Sequence, residues 1–154
     1  MADNAKTQQI IADLITAYTM EIETTVNYIC NSTNLDGVRA EEIKKALAVD
    51  IVEELGHAQQ LAKRIKTIGG QVPGSLALSF GQQACQPPSD NTDVVTVIKG
   101  VIAAEQAAIA QYTKIIQASD GVDYVTQDLC ITLMGDEEEH LRTFKGYLTE
   151  YEKG

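Results

Sequence analysis

The sequence predicts an all-α fold: a four-helix bundle made of two antiparallel hairpins joined by one long crossover. Apolar residues recur at three- and four-residue spacings through four long segments. Short turn signals separate the first segment from the second and the third from the fourth, while a stretch with prolines, glycines and few charges lies between the pairs. At 154 residues the chain is expected to form a single domain, residues 1–154, with one real core.

The first helix is expected over about 5–33, where Ile11, Leu14, Tyr18, Glu21, Thr25 and Tyr28 share one face, and Asn34-Leu-Asp-Gly37 breaks it. The second is expected over about 39–68, on the stripe Ile51, Glu54, Ala58, Leu61, Ile65, Ile68, and is ended by Gly69-Gly70 and Pro73-Gly74. The crossover follows over about 69–92; its segment Leu76-Ala-Leu-Ser-Phe80 suits a short strand and a packed turn equally. The third helix, about 93–119, carries Val94, Ile98, Val101, Glu105, Ala108, Tyr112 and Ile115, and Asp120-Gly121 ends it. The fourth, about 122–152, carries Cys130, Met134, Glu137, Leu141, Phe144, Leu148 and Tyr151. Short turns make each pair antiparallel neighbours. Helices of roughly 28 to 30 residues are about 45 Å long. Some two dozen extended residues reach about 80 Å, so the crossover can return along the bundle and start the third helix at the same end as the second.

Each stripe has a glutamate where the pattern asks for a core residue. The chain has two histidines, and each follows a glutamate by three positions, as Glu54-Leu-Gly-His57 and Glu137-Glu-Glu-His140. Residues three apart on a helix share a face, so each pair can direct an oxygen and a nitrogen at one ion. The arrangement repeats: Glu21 with Tyr28 seven later precedes the first pair, and Glu105 with Tyr112 seven later precedes the second. Glu105 is set in Val-Ile-Ala-Ala-Glu-Gln-Ala-Ala-Ile, where an ionised carboxylate costs several kcal/mol unless compensated. No lysine or arginine occupies the stripes, so two divalent cations are the economical way to neutralise four glutamates. Oxygen and nitrogen donors without thiolate suit iron or manganese, with zinc as an adventitious occupant.

Glu23, Glu53, Glu138 and Glu139 fall off the stripes, at surface or supporting positions. Tyr28 and Tyr112 are core aromatics whose hydroxyls can reach a ligating carboxylate or carry an electron. Cys130 reads as a packed core thiol, Cys30 lies on the far side of its helix from Glu21, and Cys85 falls in the crossover. Three cysteines without Cys-x-x-Cys spacing indicate neither a disulfide framework nor a thiolate metal site.

The net charge of −10 comes without a Lys/Arg cluster, which argues against nucleic acid as a partner and suits a surface that gathers cations. No stretch approaches the roughly 18 to 20 uninterrupted apolar residues of a membrane span, and the N-terminus lacks a basic region followed by an apolar one. A cytoplasmic protein without a membrane partner is the expectation.

The six residues Glu21, Glu54, His57, Glu105, Glu137 and His140 resemble the ferroxidase centre of the ferritin-like di-iron carboxylate superfamily, closest to bacterioferritins and to Dps-like proteins with a bacterioferritin-type site. The resemblance runs through nearly the whole chain. It implies that the six are the catalytic and metal-ligating residues, that Glu54 and Glu137 bridge two iron ions per chain, and that the activity is oxidation of Fe(II) by O2 or H2O2. It further implies storage in a homo-oligomeric cage. Leu55 stands where haem-binding bacterioferritins place a methionine, which argues against haem, and Val49 stands where some have a histidine for an inner-surface iron. A chain ending where the fourth helix does leaves no fifth helix, so a 12-subunit shell becomes plausible beside a 24-subunit one. The alternative is a rubrerythrin-like di-iron peroxidase, against which stand Ala108, three after Glu105, and the lack of a rubredoxin-like module. A di-iron or di-manganese oxygenase or catalase, and a non-catalytic helical interaction module, are further alternatives.

Overall fold

Long segments without proline fold into four helices, α1 (Ala2–Asn34), α2 (Glu41–Thr67), α3 (Val94–Ser119) and α4 (Tyr124–Glu152), in the computed structural model, which describes residues 2–154. Two of the helix starts are built alike. The carboxylates of Asp93 and Asp123 accept the backbone N–H of Thr96 and Thr126 at 3.1 Å, satisfying donors that the first helical turn leaves free. Asp123 also accepts from Arg64 at 2.8 Å, which ties the end of α2 to the start of α4. The end of α2 is a Schellman motif, with Gly69 N–H donating to Lys66 and Gly70 N–H to Ile65. Gly69 has φ +94°, a conformation that side chains with a Cβ rarely adopt.

Helix α1 packs mainly on α2 and on α3, and α3 mainly on α4. Tyr28 meets Glu105 and Tyr112 meets Glu21, so α1 and α3 run antiparallel. Glu54 meets His140 and His57 meets Glu137, so α2 and α4 do likewise. The four-helix bundle predicted from the stripes is therefore formed, with α2 and α3 starting at one end. The Leu76–Phe80 segment makes a single 3-10 turn over Ser75–Ala77 with Leu76 fully exposed, and no strand occurs among the described residues.

The crossover is held to the bundle by polar side chains of α1. Glu23 accepts the backbone N–H of Gln82 at 2.7 Å, Asn27 donates to the Gln82 side chain at 2.7 Å, and Asn31 donates to the Cys85 carbonyl at 2.9 Å. On the other side it runs against α3 at Gly100, where a Cβ would lie 2.5 Å from the Ala84 carbonyl oxygen. Residues 82–85 therefore bridge α1 and α3, and Cys85 among them is buried. This explains Glu23: off the apolar stripe but 9% exposed, it anchors the crossover.

The apolar core comes in two parts. One end packs Tyr28, Leu47, Ile98, Val101 and Phe144; the other packs Leu14, Leu61, Tyr112, Ile115 and Leu133. Between them lies a buried acidic layer. In α4 the buried face runs through Leu133 and His140, while Met134 and Leu141, on the stripe drawn from sequence, are half-buried. Helix α3 alone among the described residues has the length and apolar composition to cross a membrane, and its apolar residues Val97, Ile98, Val101 and Ile115 fill this core.

Candidate metal centre

Glu21, Glu54, His57, Glu105, Glu137 and His140 come from four helices and meet at mid-bundle, each 6% exposed or less. Two sets of ligand atoms form, each within 4.8 Å: Glu21, Glu54, His57 and Glu137 in one, and Glu54, Glu105, Glu137 and His140 in the other. Glu54 and Glu137 belong to both. His57 Nδ1 lies 2.8 Å from Glu137 and 3.7 Å from both Glu21 and Glu54. His140 Nδ1 lies 3.1 Å from Glu54, 3.4 Å from Glu137 and 3.5 Å from Glu105. The two imidazole rings are stacked 6.4 Å apart, one serving each set.

The supporting hydrogen bonds cross between hairpins. Tyr28 on α1 donates to Glu105 on α3 at 2.7 Å, and Tyr112 on α3 donates to Glu21 on α1 at 2.8 Å. Each phenol fixes the lone glutamate of the other hairpin. The outward nitrogens of the histidines are held in the same crossed manner. His57 Nε2 lies 3.0 Å from Asp136 on α4, and His140 Nε2 is hydrogen-bonded to Glu53 on α2. Holding Nε2 aims Nδ1 at the centre.

Two acids of this surround, Asp136 and Asp50, are not visible as site residues from the apolar stripes. Asp136 and Glu53 are each the residue before the glutamate of a Glu-x-x-His pair, so the doubled acid was the signal that could have found them. Asp50 is 8% exposed and lies one turn before Glu53, with an oxygen 3.5 Å from His140 Nε2. Burial pushes its carboxyl up to about 6 against the opposing pull of His140.

Electrostatics show how the centre stands without cations. Burial raises Glu21 and raises Glu54 well above the usual carboxylate range, the latter helped by the charge of Glu21. Burial and a hydrogen bond with Glu137 push Glu105 up to about 9. Burial would raise Glu137 too, but hydrogen bonds with Glu105, His140 and His57 outweigh it and hold this carboxyl low. For both imidazoles burial alone would lower the pKa, and the surrounding carboxylates overcome it and raise them strongly. Protons therefore neutralise the layer when cations do not. They do so incompletely as ligands: one buried oxygen on each of Glu21, Glu105 and Glu137 has no hydrogen-bond partner. Three orphaned carboxylate oxygens aimed into one layer are the donors that a pair of hard or borderline divalent cations requires.

Four helices bring four carboxylates and two imidazoles to one buried layer, the donor set of a candidate metal centre in a helical bundle. The chain belongs to the Ferritin-like domain family, which it matches over residues 11–153. It is 27% identical over 145 residues to the DNA protection during starvation protein of Pyrococcus furiosus, covering 92% of this chain and 78% of that one. Among solved structures it is similar to the dodecameric thioferritin of Bacteroides fragilis, described as bacterioferritin-related, with TM-score 0.82, 24% identity, and coverage of 96% and 88%. It is also similar to a ferritin-like, diiron-carboxylate protein of Bacillus anthracis, with TM-score 0.78, 21% identity, and coverage of 93% and 97%. A variant of Mycobacterium smegmatis Dps1 superposes with TM-score 0.81 at 17% identity, covering 94% and 97%.

Proposed function

We propose that this protein oxidises Fe(II) at a dinuclear site in the bundle, with O2 or H2O2 as oxidant, and stores the ferric product in a homo-oligomeric cage. The observation that carries the reading is the pair of ligand sets sharing Glu54 and Glu137, with unpartnered oxygens on three of their members. Glu21 and His57 serve one ion, Glu105 and His140 the other, and Glu54 with Glu137 bridge them. Iron bound there supplies the electrons that the oxidant takes, one from each ion. The protein's part is to hold two like charges close together with four carboxylates, and to favour the harder ferric product with anionic oxygen donors.

Binding displaces protons. His57 and His140 give up the Nδ1 proton, and the carboxyls that burial raises give up theirs, so loading releases protons. Asp136 and Glu53 keep the imidazoles oriented as that happens. Tyr28 and Tyr112 hold the lone glutamates while their other oxygens turn to the ions.

The family and the bacterioferritin-related and Dps neighbours support the storage half of the reading. A cage of twelve chains of 16.7 kDa has a mass of about 200 kDa, and one of twenty-four about 400 kDa. Apoprotein mixed with Fe(II) in air is expected to bind about two irons per chain and oxidise them faster than buffer does, then take up many more per assembly. A native mass of one or two chains, or uptake that stops at two irons, would remove storage and promote the peroxidase alternative.

A further inference from the structure

We propose that the groove between the end of α2 and the start of α4 binds a small organic anion, a carboxylate that carries an apolar body. The groove has a volume of about 400 Å³ and is lined by Gln60, Lys63, Arg64 and Thr67 of α2 and by Val125 and Leu129 of α4. Its two walls differ in chemistry. The α2 wall is cationic and hydrogen-bonding, whereas the α4 wall is apolar, with Val125 62% exposed. A concave site of this size with an apolar side and a few converging polar groups suits a small ligand.

The cationic wall is unusual for this chain. Net charge is −10, yet three of the 12 lysines and arginines, Lys63, Arg64 and Lys66, fall within four residues. A helix dipole favours cations near the C-terminus, which accounts for their place on α2 but not for the exposed apolar wall opposite. Arg64 is fixed in position, its Nε donating to Thr126 at 2.9 Å and its Nη2 to Asp123 at 2.8 Å. Asp123 offsets its charge, and its Nη1 has no hydrogen-bond partner among the described residues. Lys63 is exposed, and the ion pairs of lysines and arginines among the described residues all involve other cations. One wall therefore offers an oriented N–H donor and an uncompensated charge. A carboxylate accepts from both, while its carbon chain covers Val125 and Leu129 and takes them out of water. Inorganic phosphate uses the same donors but leaves the apolar wall wet.

Two other cavities show what sets this one apart. The cavity of about 290 Å³ at Arg39, Glu150 and Tyr151 has its cation engaged, because Arg39 stacks on the Tyr151 ring and donates to the Tyr151 carbonyl at 3.0 Å. The cavity of about 240 Å³ between α1 and the crossover offers Glu23 and no lysine or arginine. Helices α2 and α4 approach each other at few places, and the groove occupies the seam this leaves at the start of α4. Gln60 stands one turn past His57, and Leu129 two turns before Asp136, so an anion in the groove sits on the seam that leads to the outward edge of His57. Iron takes no part in this recognition, so the groove and the dinuclear centre stand or fall separately.

The test is equilibrium dialysis and calorimetry of octanoate with the assembled, metal-free protein. About one octanoate per chain is expected, with acetate and inorganic phosphate binding at least about tenfold more weakly because neither has an apolar body. Lys63→Glu and Val125→Asp should each weaken octanoate about tenfold or more, and Lys63→Gln should weaken it less than Lys63→Glu. Lys6→Glu, the same charge change at an exposed position of α1, should leave binding unchanged. Failure of octanoate to bind the assembled protein would overturn the inference, as would acetate or phosphate binding as tightly as octanoate. Equal losses in Lys63→Glu and Lys6→Glu would also overturn it, because they would reduce the effect to net charge.

Discussion

The α1–α2 hairpin and the α3–α4 hairpin contribute matched parts to the centre: a lone glutamate with a tyrosine seven residues later, then an acid, a second glutamate and a histidine. Outside that layer they diverge. Helix α1 faces the crossover with Glu23, Asn27 and Asn31, whereas α3 meets it with Gly100, a residue whose lack of side chain lets the backbone pass. One turn before the acid that holds the partner histidine, α2 has buried Asp50 and α4 has buried Leu133. The matched residues are those that touch the same charges from opposite sides. The unmatched ones face surroundings that the fold makes unequal, because one long crossover must lie on one side of the bundle. Symmetry here belongs to the chemistry of the centre, and asymmetry to its edges.

The largest effect expected tests the matched part. Glu54→Ala and Glu137→Ala each remove a carboxylate common to both ligand sets, so each should reduce Fe(II) oxidation to the rate in buffer, measured by ferric absorbance after mixing in air. If one variant keeps the fast phase, the two glutamates are not equivalent bridges; if both keep it, the dinuclear assignment fails.

The next test separates the halves. Asp136→Asn leaves His57 Nε2 without its acid, and Leu133 offers no replacement, so metal affinity should fall about 10- to 100-fold. Glu53→Gln should cost less at the inner site, because Asp50 stands 3.5 Å from the same nitrogen and can take over. Equal losses, by competition titration with Zn(II), would show that Asp50 does not support His140.

How far the sequence revealed this follows the same division. The helical periods and the turn signals made the bundle legible, because both are local. The six residues that meet in the buried layer were legible because a glutamate on an apolar stripe is itself anomalous, and the anomaly occurs four times. Glu53, Asp136 and Asp50 lie off those stripes and act across helices on a histidine of the other hairpin. The periodicity of one helix carries no record of where a neighbouring ring nitrogen points. Glu23 was hidden for a similar reason, since its partner is a backbone N–H in the crossover. The Leu76–Phe80 segment was ambiguous because a five-residue apolar run suits strand and turn alike.

A smaller effect is expected from protons. Glu105, at about 9 in the folded protein against 4.5 unperturbed, binds its proton more tightly when folded. Apoprotein stability from this group is therefore full below about pH 4.5 and is lost as pH rises toward 9. The raised histidines act in the same direction. Metal-loaded protein should show the opposite trend, because metal must displace those protons. Glu105→Gln removes one titrating group, so the apo variant should gain on wild type as pH climbs, by about 1 to 3 kcal/mol near pH 9. Urea titrations at pH 6 and 9 measure this. An apo variant that loses stability at both would mark Glu105 as a structural ion-pair partner instead.

The smallest effect returns to the crossed tyrosines, where the halves match most closely. Tyr28→Phe and Tyr112→Phe each remove a fully buried donor from a carboxylate of the opposite hairpin, at 2.7 and 2.8 Å. Each phenylalanine fills the same volume, so the cost is that of one hydrogen bond and an acceptor left dry, about 1 to 2 kcal/mol of apo stability. Both tyrosines pack in an apolar cluster at their own end of the bundle, and burial raises both phenols well above their usual range, so neither donates as a phenolate. The two losses should agree within about 0.5 kcal/mol, and the double variant should cost their sum, because the pairs share no hydrogen bond. Metal binding should change little in either, since the ions take over the carboxylates that the phenols release. A loss at Tyr28 much larger than at Tyr112 would place the asymmetry of the crossover, which buries Cys85 beside Tyr28, inside the centre itself.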